Sequence, residues 1–390
     1  MSPLIIIWGN TVNALGELCS FVSGTGFPPE FQGRSEGDIP FIKVSDMISR
    51  GNEIKIIGSN NWVSTDDLPR FSKALVPEGS VVFAKIGLAI HKNRLRITTR
   101  PTIIDNNMMA AIPNEGVSTT ELYAIISTIN FPTWALGAAL PYLRRADLSN
   151  ISLSYINKES LKMLTPTLDK LIKIHDIESR KIENFDKLCL TLVTQLIEDS
   201  NTTGNHVPLR KVVAHKRESL NPQSCPKETL FHYSIPSFDN SELPEKTLAS
   251  NILSNKFRLT EPCVLVSKLN PRIPRVWLPK LSREHISVCS TEFLPLIPKE
   301  PTMLNFLFYL FHTEKFLWYS TAYATGTTNS HQRINPKDVL NFPLPEFDRE
   351  TILQFNTIAS VAMKQKHSSL ITRSVTKNRI KLILQGIIDS

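Results

Sequence analysis

The stretch Ser80-Val81-Val82-Phe83-Ala84-Lys85 decides the fold, because a second stretch of the same pattern, Cys263-Val264-Leu265-Val266-Ser267-Lys268, follows at an offset of 183 in the numbering. Each is a short apolar run that ends on a lysine, a pattern that favours a buried strand. Two further pairs of segments agree, at offsets of 185 and 190: Ala110-Ala111-Ile112-Pro113 with Pro295-Leu296-Ile297-Pro298, and Leu196-Ile197-Glu198-Asp199-Ser200 with Gly386-Ile387-Ile388-Asp389-Ser390. A repeat of this length exceeds that of a solenoid and predicts two copies of one domain with its connector.

Composition narrows the class of protein. A chain of 390 residues with 41% hydrophobic residues predicts two or three domains with real cores. Its five cysteines are far apart and form no CxxC pair, so we expect reduced thiols, no zinc site and no disulfide framework. The apolar segment 4–8 is too short to span a membrane and follows no basic leader. We therefore expect a cytoplasmic protein without a metal or another cofactor.

The net charge of +8 is unevenly distributed. Residues 1–205 hold 20 basic and 21 acidic side chains, whereas residues 206–390 hold 24 basic and 15 acidic ones. Five basic residues lie within 85–100, which contains no acid, and Lys268, Arg272 and Arg275 occupy the matching place in the second half. A polyanion is one partner that such clusters suit, although a solvated basic face is the common alternative.

The remaining patterns predict an α+β protein. Short strands are expected at 81–84 and 94–98, and helices at 120–129 and 303–318. Two long stretches, about 168–199 and about 350–385, contain neither glycine nor proline and carry apolar residues at helical spacing. Polar residues interrupt both apolar seams, at His175 and Glu178 in the first and at Lys366 and Arg373 in the second. Such helices suit packing on each other or on a partner, with ordinary core helices as the alternative.

Several segments together resemble the specificity subunit of type I restriction–modification enzymes. In the second half they are 231–239, 254–257, 266–272 and 290–293, followed by Gly326-Thr327-Thr328-Asn329-Ser330-His331-Gln332-Arg333. In the first half they are Ile39-Pro40-Phe41-Ile42-Lys43-Val44-Ser45-Asp46, Val82-Phe83-Ala84-Lys85-Ile86-Gly87 and Ile104-Asp105-Asn106-Asn107-Met108-Met109. The resemblance covers nearly the whole chain.

The resemblance implies two target-recognition domains joined by two long antiparallel coiled-coil helices. Each domain of such a subunit binds one half of an asymmetric split site in double-stranded DNA. The helices dock two methyltransferase (modification) subunits, and restriction/translocase subunits join the complex. The expected role is thus phage defence through DNA methylation and restriction, with no membrane involved.

The resemblance also gives expected domain boundaries. These are recognition domain 1 at 1–160, connector helix 1 at 161–200, a linker at 201–205, recognition domain 2 at 206–346 and connector helix 2 at 347–390. The second connector keeps the family's opening as Phe342-Pro343-Leu344-Pro345 with Gln354. The first has Met163-Leu164-Thr165-Pro166-Thr167-Leu168 and no equivalent glutamine, so its helix start is expected to be displaced.

Candidate DNA-binding residues follow from the chemistry that a protein needs to recognise a DNA sequence. Lysine and arginine hold phosphates, arginine pairs with guanine, and asparagine or glutamine pairs with adenine. In the first half the candidates are Lys85, His91, Lys92, Asn93, Arg94, Arg96, Arg144 and Arg145. In the second half they are Lys268, Asn270, Arg272, Arg275, Thr327, Asn329, Ser330, His331, Gln332 and Arg333. Connectors of about 35 residues would span roughly 50 Å, which predicts half-sites about one helical turn of DNA apart.

The chain itself is expected to be non-catalytic. It has no (Asn/Asp)-Pro-Pro-aromatic loop for a flipped adenine, no Gly-rich loop for a methyl donor and no Walker-type phosphate loop. Two alternatives stay open: a protein scaffold that reads no DNA, and a self-contained DNA-modifying enzyme.

Overall fold

A computed structural model describes residues 14–34, 36–49, 51–200, 205–282, 284–326 and 332–389. The chain divides into two compact units. The first unit comprises residues 1–180 and 372–390, and the second comprises residues 181–371. Two long helices, α3 (Lys158–Ser200) and α8 (Arg349–Asp389), each contribute residues to both units.

The strands that the structure describes in the first unit form two sheets. One sheet has the order β1-β9-β6-β7-β3 and the other has the order β4-β2-β8-β5. Their bounds are β1 Cys19–Ser23, β2 Ile39–Ile42, β3 Lys55–Ile56, β4 Trp62–Val63, β5 Leu75–Val76, β6 Val81–Ala84, β7 Leu95–Thr98, β8 Thr102–Ile104 and β9 Met108–Pro113. All four residues of β6 are buried, as expected for a central strand without polar side chains.

Among its described residues, the second unit has two larger sheets, with orders β11-β19-β16-β17 and β12-β15-β18-β13-β14, and two small pairs, β10-β22 and β20-β21. Their bounds are β10 His206–Pro208, β11 Val213–His215, β12 Glu218–Leu220, β13 Thr229–Tyr233, β14 Glu245–Leu248, β15 Lys256–Leu259, β16 Val264–Ser267, β17 Val276–Trp277, β18 Ile286–Ser290, β19 Phe293–Pro298, β20 Ala324–Thr325, β21 Arg333–Ile334 and β22 Pro343–Pro345.

One four-strand arrangement occurs in both units with the same register. The order β1-β9-β6-β7 in the first unit corresponds to β11-β19-β16-β17 in the second. Val81 lies opposite Ala111, and their counterparts in the sequence repeat, Val264 and Leu296, lie opposite each other as well. Since a slip of one residue would turn every side chain to the other face, a shared register means that both copies bury the same positions.

The shorter helices in the described ranges are α1 Thr119–Ser127, α2 Arg145–Ser149, α4 Ile235–Ser241, α5 Leu304–Leu310, α6 Glu314–Ala322 and α7 Pro336–Leu340. The helix expected at 120–129 is α1, and it starts on a Ser118–Glu121 capping box. The single helix expected at 303–318 was wrong, because α5 and α6 are separate. The Thr313 side chain accepts a hydrogen bond from the backbone N–H of Phe316 and so starts a new helix.

The first long helix begins ten residues earlier than the glycine- and proline-free stretch indicates. It starts at Lys158 and contains Pro166. Proline removes one helical hydrogen bond, but Pro166 is exposed, so water can reach the carbonyl left without a partner. Leu161 and Leu168, on either side of it, are buried in the core of the first unit and hold this part of the helix in place.

The two polar residues that interrupt the apolar seam of α8, Lys366 and Arg373, are buried and form ion pairs. In the first unit, Arg373 of α8 lies 3.7 Å from the Glu53 carboxylate. In the second unit, Lys366 of α8 donates to Asp186 of α3 at 2.7 Å and lies over the ring of Phe308. The order of strands and helices, with α3 and α8 as the two long helices, confirms the α+β architecture expected from the sequence.

Within the described part of the chain, none of the helices has the length and apolar character that crossing a membrane requires. The five cysteines are free thiols. Burial raises the pKa of the Cys19 thiol to about 12, so it is not a reactive thiolate.

Candidate nucleic-acid interface

In the first unit, two loops are joined side by side by backbone hydrogen bonds. One loop, residues 85–92, follows β6, and the other, residues 136–145, leads into α2. We call these two loops the first loop pair. The N–H of Gly87 donates to the carbonyl of Pro141 at 2.8 Å, and the N–H of Leu143 donates to that of Lys85 at 2.9 Å. Leu136 and Tyr142 also exchange two backbone hydrogen bonds, at 2.9 and 2.8 Å. These bonds fix the backbone on which the side chains are presented.

The second unit contains the same joint, which we call the second loop pair. It is formed by residues 268–275 and 332–334. The N–H of Asn270 donates to the carbonyl of Gln332 at 2.7 Å, and the N–H of Ile334 donates to that of Lys268 at 3.1 Å. Lys85 and Lys268 therefore hold equivalent positions, as do Gly87 and Asn270. The structural repeat thus extends from the sheet to the loops.

The turn residue of each joint has a positive φ angle. Gly87 has φ +83°, and Asn270 has φ +48°. Glycine adopts this conformation without steric cost, and asparagine tolerates it better than most other residues. Both turns bring the backbone N–H of this residue to the neighbouring loop.

Most basic residues predicted in the first half lie on or beside the first loop pair. His91 and Lys92 are exposed on the short 3₁₀ helix Leu88–Lys92, and Arg94 is partly exposed. Lys85 is partly buried. Burial and the neighbouring charge of Arg145 lower the pKa of the Lys85 ammonium, whereas Asp105 opposes this effect.

Two of the predicted residues are used inside the fold. The Asn93 amide donates to the carbonyl of Ile129 at 2.9 Å and accepts from the N–H of Phe131 at 3.1 Å. The Arg96 guanidinium donates to the backbone carbonyls of Leu95 and Met47, and burial lowers its pKa. Both side chains therefore have a structural role, and we leave them out of the interface proposed below.

The other two arginines of the first half lie at the start of α2. Arg144 forms a two-point ion pair with Asp147, at 2.8 and 3.1 Å, and remains exposed. Arg145 is exposed and reaches the backbone carbonyl of Phe21 at 3.5 Å. Both residues directly follow Leu143, whose N–H joins the two loops.

The second loop pair also carries four lysine and arginine side chains. Arg272 is exposed, and Lys268 is partly buried. Arg333 forms a two-point ion pair with Glu292, at 3.1 and 3.2 Å, yet stays half exposed. The guanidinium of Arg275 is mostly buried in a similar pair with Asp239, at 2.7 and 3.0 Å, which gives it a structural role.

The polar side chains predicted beside these cations have different outcomes. The Asn270 and Gln332 side-chain oxygens are buried, so these two atoms do not face solvent. Thr327, Asn329, Ser330 and His331 lie outside the described residues. Their prediction rests on the sequence alone.

Sequence reasoning missed exposed apolar side chains on the first loop pair. Leu88, Leu140 and Tyr142 are all exposed, as is the nearby Trp134. Apolar residues in a sequence are usually assigned to the core, which is why they were not selected. The spacing from Gly137 to Leu143 is six residues and that from Gly326 to Ile334 is eight, so the repeat offered no matching spacing that would have selected these side chains.

The described residues offer little else that resembles a chemical site. No group of three or more His, Cys, Asp or Glu side chains among them could hold a metal ion. A cavity of about 790 Å³ in the second unit has a mainly apolar lining that includes Trp277, Phe308 and Leu370.

The chain as a whole is similar to solved restriction–modification structures. The S subunit of a type I restriction–modification system from M. genitalium matches with a TM-score of 0.53 and 11% identity, over 98% of each chain. The match to the HsdS subunit from Thermoanaerobacter tengcongensis covers 96% of this chain and 95% of that one, with 15% identity and a TM-score of 0.29. The sequence matches no family model and no curated protein. Because the identity is so low, the first similarity shows the fold alone, and that fold is the one of a type I specificity subunit.

Proposed function

We propose that this chain is the non-catalytic DNA-specificity subunit of a type I restriction–modification complex. Each unit binds one half of an asymmetric split site, and the complex then methylates adenine at N6 or restricts the DNA. The observation that carries this proposal is the repeated loop pair. Two copies of one backbone joint bear different side chains, which suits a protein that reads two different short sequences.

The charges on the loop pairs support DNA as the ligand. His91, Lys92 and Arg94 in the first unit, and Arg272 and Arg333 in the second, are at least partly exposed on or beside the joined loops. Exposed cations on a fixed backbone can hold phosphates and so set the register in which other side chains meet base edges. Glu292 and Asp147 orient two of the arginines, Arg333 and Arg144.

The long helices support docking of partner subunits. Met163, Ile177 and Leu188 on α3 and Val361 and Leu382 on α8 are exposed apolar side chains. Exposed apolar surface of this kind is commonly covered by another protein. In line with the resemblance, we assign these helices to two methyltransferase subunits, with restriction/translocase subunits joining them.

Single-molecule methylome sequencing tests the proposal. Cells would express the chain together with the modification subunit encoded beside it. N6-methyladenine confined to one asymmetric split motif, and lost when this chain is omitted, is the expected result. Methylation that is unchanged when the chain is removed would contradict the specificity role.

The two alternative functions have their own distinguishing results. A protein that neutralises DNA phosphates releases counterions, so its binding weakens steeply as the salt concentration rises. A scaffold that reads no DNA would not show this salt dependence. A self-contained enzyme would transfer methyl groups as a purified chain without any partner. We expect salt-dependent binding by the complex and no methyl transfer by the chain alone.

A further inference from the structure

The tip of the first loop pair is apolar and open to solvent. The side chain of Leu88 is 76% exposed, that of Leu140 62% and that of Tyr142 42%. Ala138 and Ala139, between them in the sequence, are exposed as well. Single exposed apolar residues are common, but five on one joined pair of loops form an apolar patch whose hydration is unfavourable.

The backbone keeps this patch in place. The hydrogen bonds of Gly87, Leu136, Tyr142 and Leu143 hold the two loops together. A side chain on Gly87 would lie 3.9 Å from the Leu140 Cδ1 atom, so the Leu140 side chain extends over the turn at Gly87. The loops that carry the patch are therefore already ordered before a ligand binds.

The patch is bordered by cations. His91 and Lys92 follow Leu88 on the same 3₁₀ helix, and Arg144 and Arg145 follow Tyr142 after one buried residue. A binding partner that matches this surface must therefore combine negative charge with apolar groups. Duplex DNA does so in its major groove, where the methyl group of thymine lies between the phosphate backbones.

The second loop pair has the same backbone with other side chains. The position of Tyr142 is taken by Arg333, and that of Leu88 by Pro271, which is buried and followed by the exposed Arg272. An arginine suits the acceptor atoms of guanine, whereas leucine can make only apolar contacts. The two copies thus differ in the chemistry that they present at equivalent places.

We propose that Leu88 and Leu140 are specificity-determining residues that contact thymine methyl groups in the half-site read by the first unit. This inference rests on the proposed function and adds to it the chemical class of base that this unit selects. The half-site of the first unit accordingly contains A·T pairs at the contacted positions. Tyr142 borders the contact and closes it against water.

The methyl group gives a direct test, because deoxyuridine is thymidine without it. The complex of this chain with its modification subunit would be titrated with duplexes in which each thymine of the methylated motif is replaced in turn by uracil. Each contacted methyl should contribute about fourfold in affinity, the equivalent of burying one methyl-sized group, about 0.8 kcal/mol. Fluorescence anisotropy measures this change.

Variants assign the effect to residues. In Leu88→Ala and Leu140→Ala complexes, the fourfold preference for thymine over uracil should vanish at one position each and persist elsewhere. Leu253→Ala is the matched control, because this leucine of the second unit is 87% exposed and lies on a different loop. All three changes are at exposed positions, so folding should be unaffected.

Three results would overturn the inference while leaving the proposed function intact. They are equal affinity for thymine and uracil at every position, a uracil effect that both leucine variants retain, and an equal loss of affinity in those variants on both DNAs. In each case the wild-type complex still binds its split site. Absence of any sequence-specific binding by the wild-type complex would instead contradict the proposed function itself.

Discussion

His175 is a deeply buried histidine of α3 in the first unit, with 2% of its surface exposed. Burial lowers the pKa of its imidazole from 6.5 to about 4, against the opposing charge of Glu53. The charges of Arg373 and Lys377 lower the pKa further, and that of Asp176 raises it. The folded protein therefore keeps His175 neutral at pH values at which the unfolded chain is already protonated.

This difference predicts how stability depends on pH. Between pH 6.5 and about 4 the unfolded chain binds a proton that the folded chain does not, so stability is full above pH 6.5 and falls as the pH is lowered. We expect His175→Gln to reduce the loss of melting temperature between pH 6.5 and 4.5. Exposed His91→Gln is the control and should follow the wild type. A His175→Gln profile as steep as that of the wild type would contradict this account.

Glu53 contributes in a separate pH range. Burial raises the pKa of its carboxyl group, but the charge of Arg373 and other neighbours more than offsets this and holds it below its ordinary value of 4.5. A carboxylate of this kind stabilises the folded state above its ordinary pKa and loses that effect as the pH falls further. His175 and Glu53 therefore affect stability in different pH ranges, and one measurement of stability against pH distinguishes their contributions.

The Asp186–Lys366 pair gives a second prediction at the scale of residues. Asp186→Asn removes the carboxylate that pairs with a buried lysine, which we expect to lower the free energy of unfolding by on the order of 3 kcal/mol. Adding Lys366→Met should recover most of this loss, because the buried positive charge is then removed as well. Urea unfolding of the wild type and of these two variants measures both effects.

The exposed pair Lys216–Glu261, at 2.6 Å, is the control for that cycle. Glu261→Gln should change the free energy of unfolding by less than about 1 kcal/mol, since exposed pairs are weak. If Asp186→Asn cost no more than Glu261→Gln, the buried pair would not stabilise the second unit as argued.

At the scale of elements, the loop pairs depend on one backbone angle each. Gly87→Val places a β-branched side chain at φ +83°, where strain rather than lack of space is the main cost. We expect DNA affinity to fall at least tenfold while the unfolding of the core changes little. Asn270→Gly, which keeps the positive φ accessible, should bind as the wild type does; a comparable loss in both variants would contradict the role of the angle.

The sequence predicted the elements best where one physical cause dominates. Val81 to Ala84 and Val264 to Ser267 are buried on both faces, so composition alone marks them as strands. The break at Thr313 was missed, because it depends on a local hydrogen bond. The extension of α3 back to Lys158, beyond the glycine- and proline-free stretch, depends on anchoring by distant core residues. Tertiary contacts of that kind are not visible as periodicity.

The candidate site was predictable in part. The basic residues near 85–94 were found from their clustering without acids, and the structure places them on or beside one joined pair of loops. Asn93, Arg96 and Arg275 have the same residue types but bond inside the fold, which no composition rule distinguishes. The exposed Leu88 and Leu140 were missed for the opposite reason, since their type suggests burial.

At the scale of the whole molecule, the long helices predict the spacing between the half-sites. They have 43 and 41 residues, and each residue adds about 1.5 Å. Inserting four residues, about one turn, into both α3 and α8 should lengthen the unread spacer by one or two base pairs at ~3.4 Å each. Methylome sequencing reads the spacer directly, with a four-residue insertion in the 201–205 linker as the control. An unchanged spacer in the double helix insertion would contradict this ruler.

We infer that the two copies of the loop pair read two different half-sites. The most direct test is methylome sequencing of cells that express the wild-type chain, Gly87→Val or Asn270→Val, each with the modification subunit. We predict that Gly87→Val broadens the bases accepted in one half of the methylated motif, and that Asn270→Val broadens only the other half. If both variants broadened the same half, or neither altered the motif although the complexes still bound DNA, the claim would be wrong.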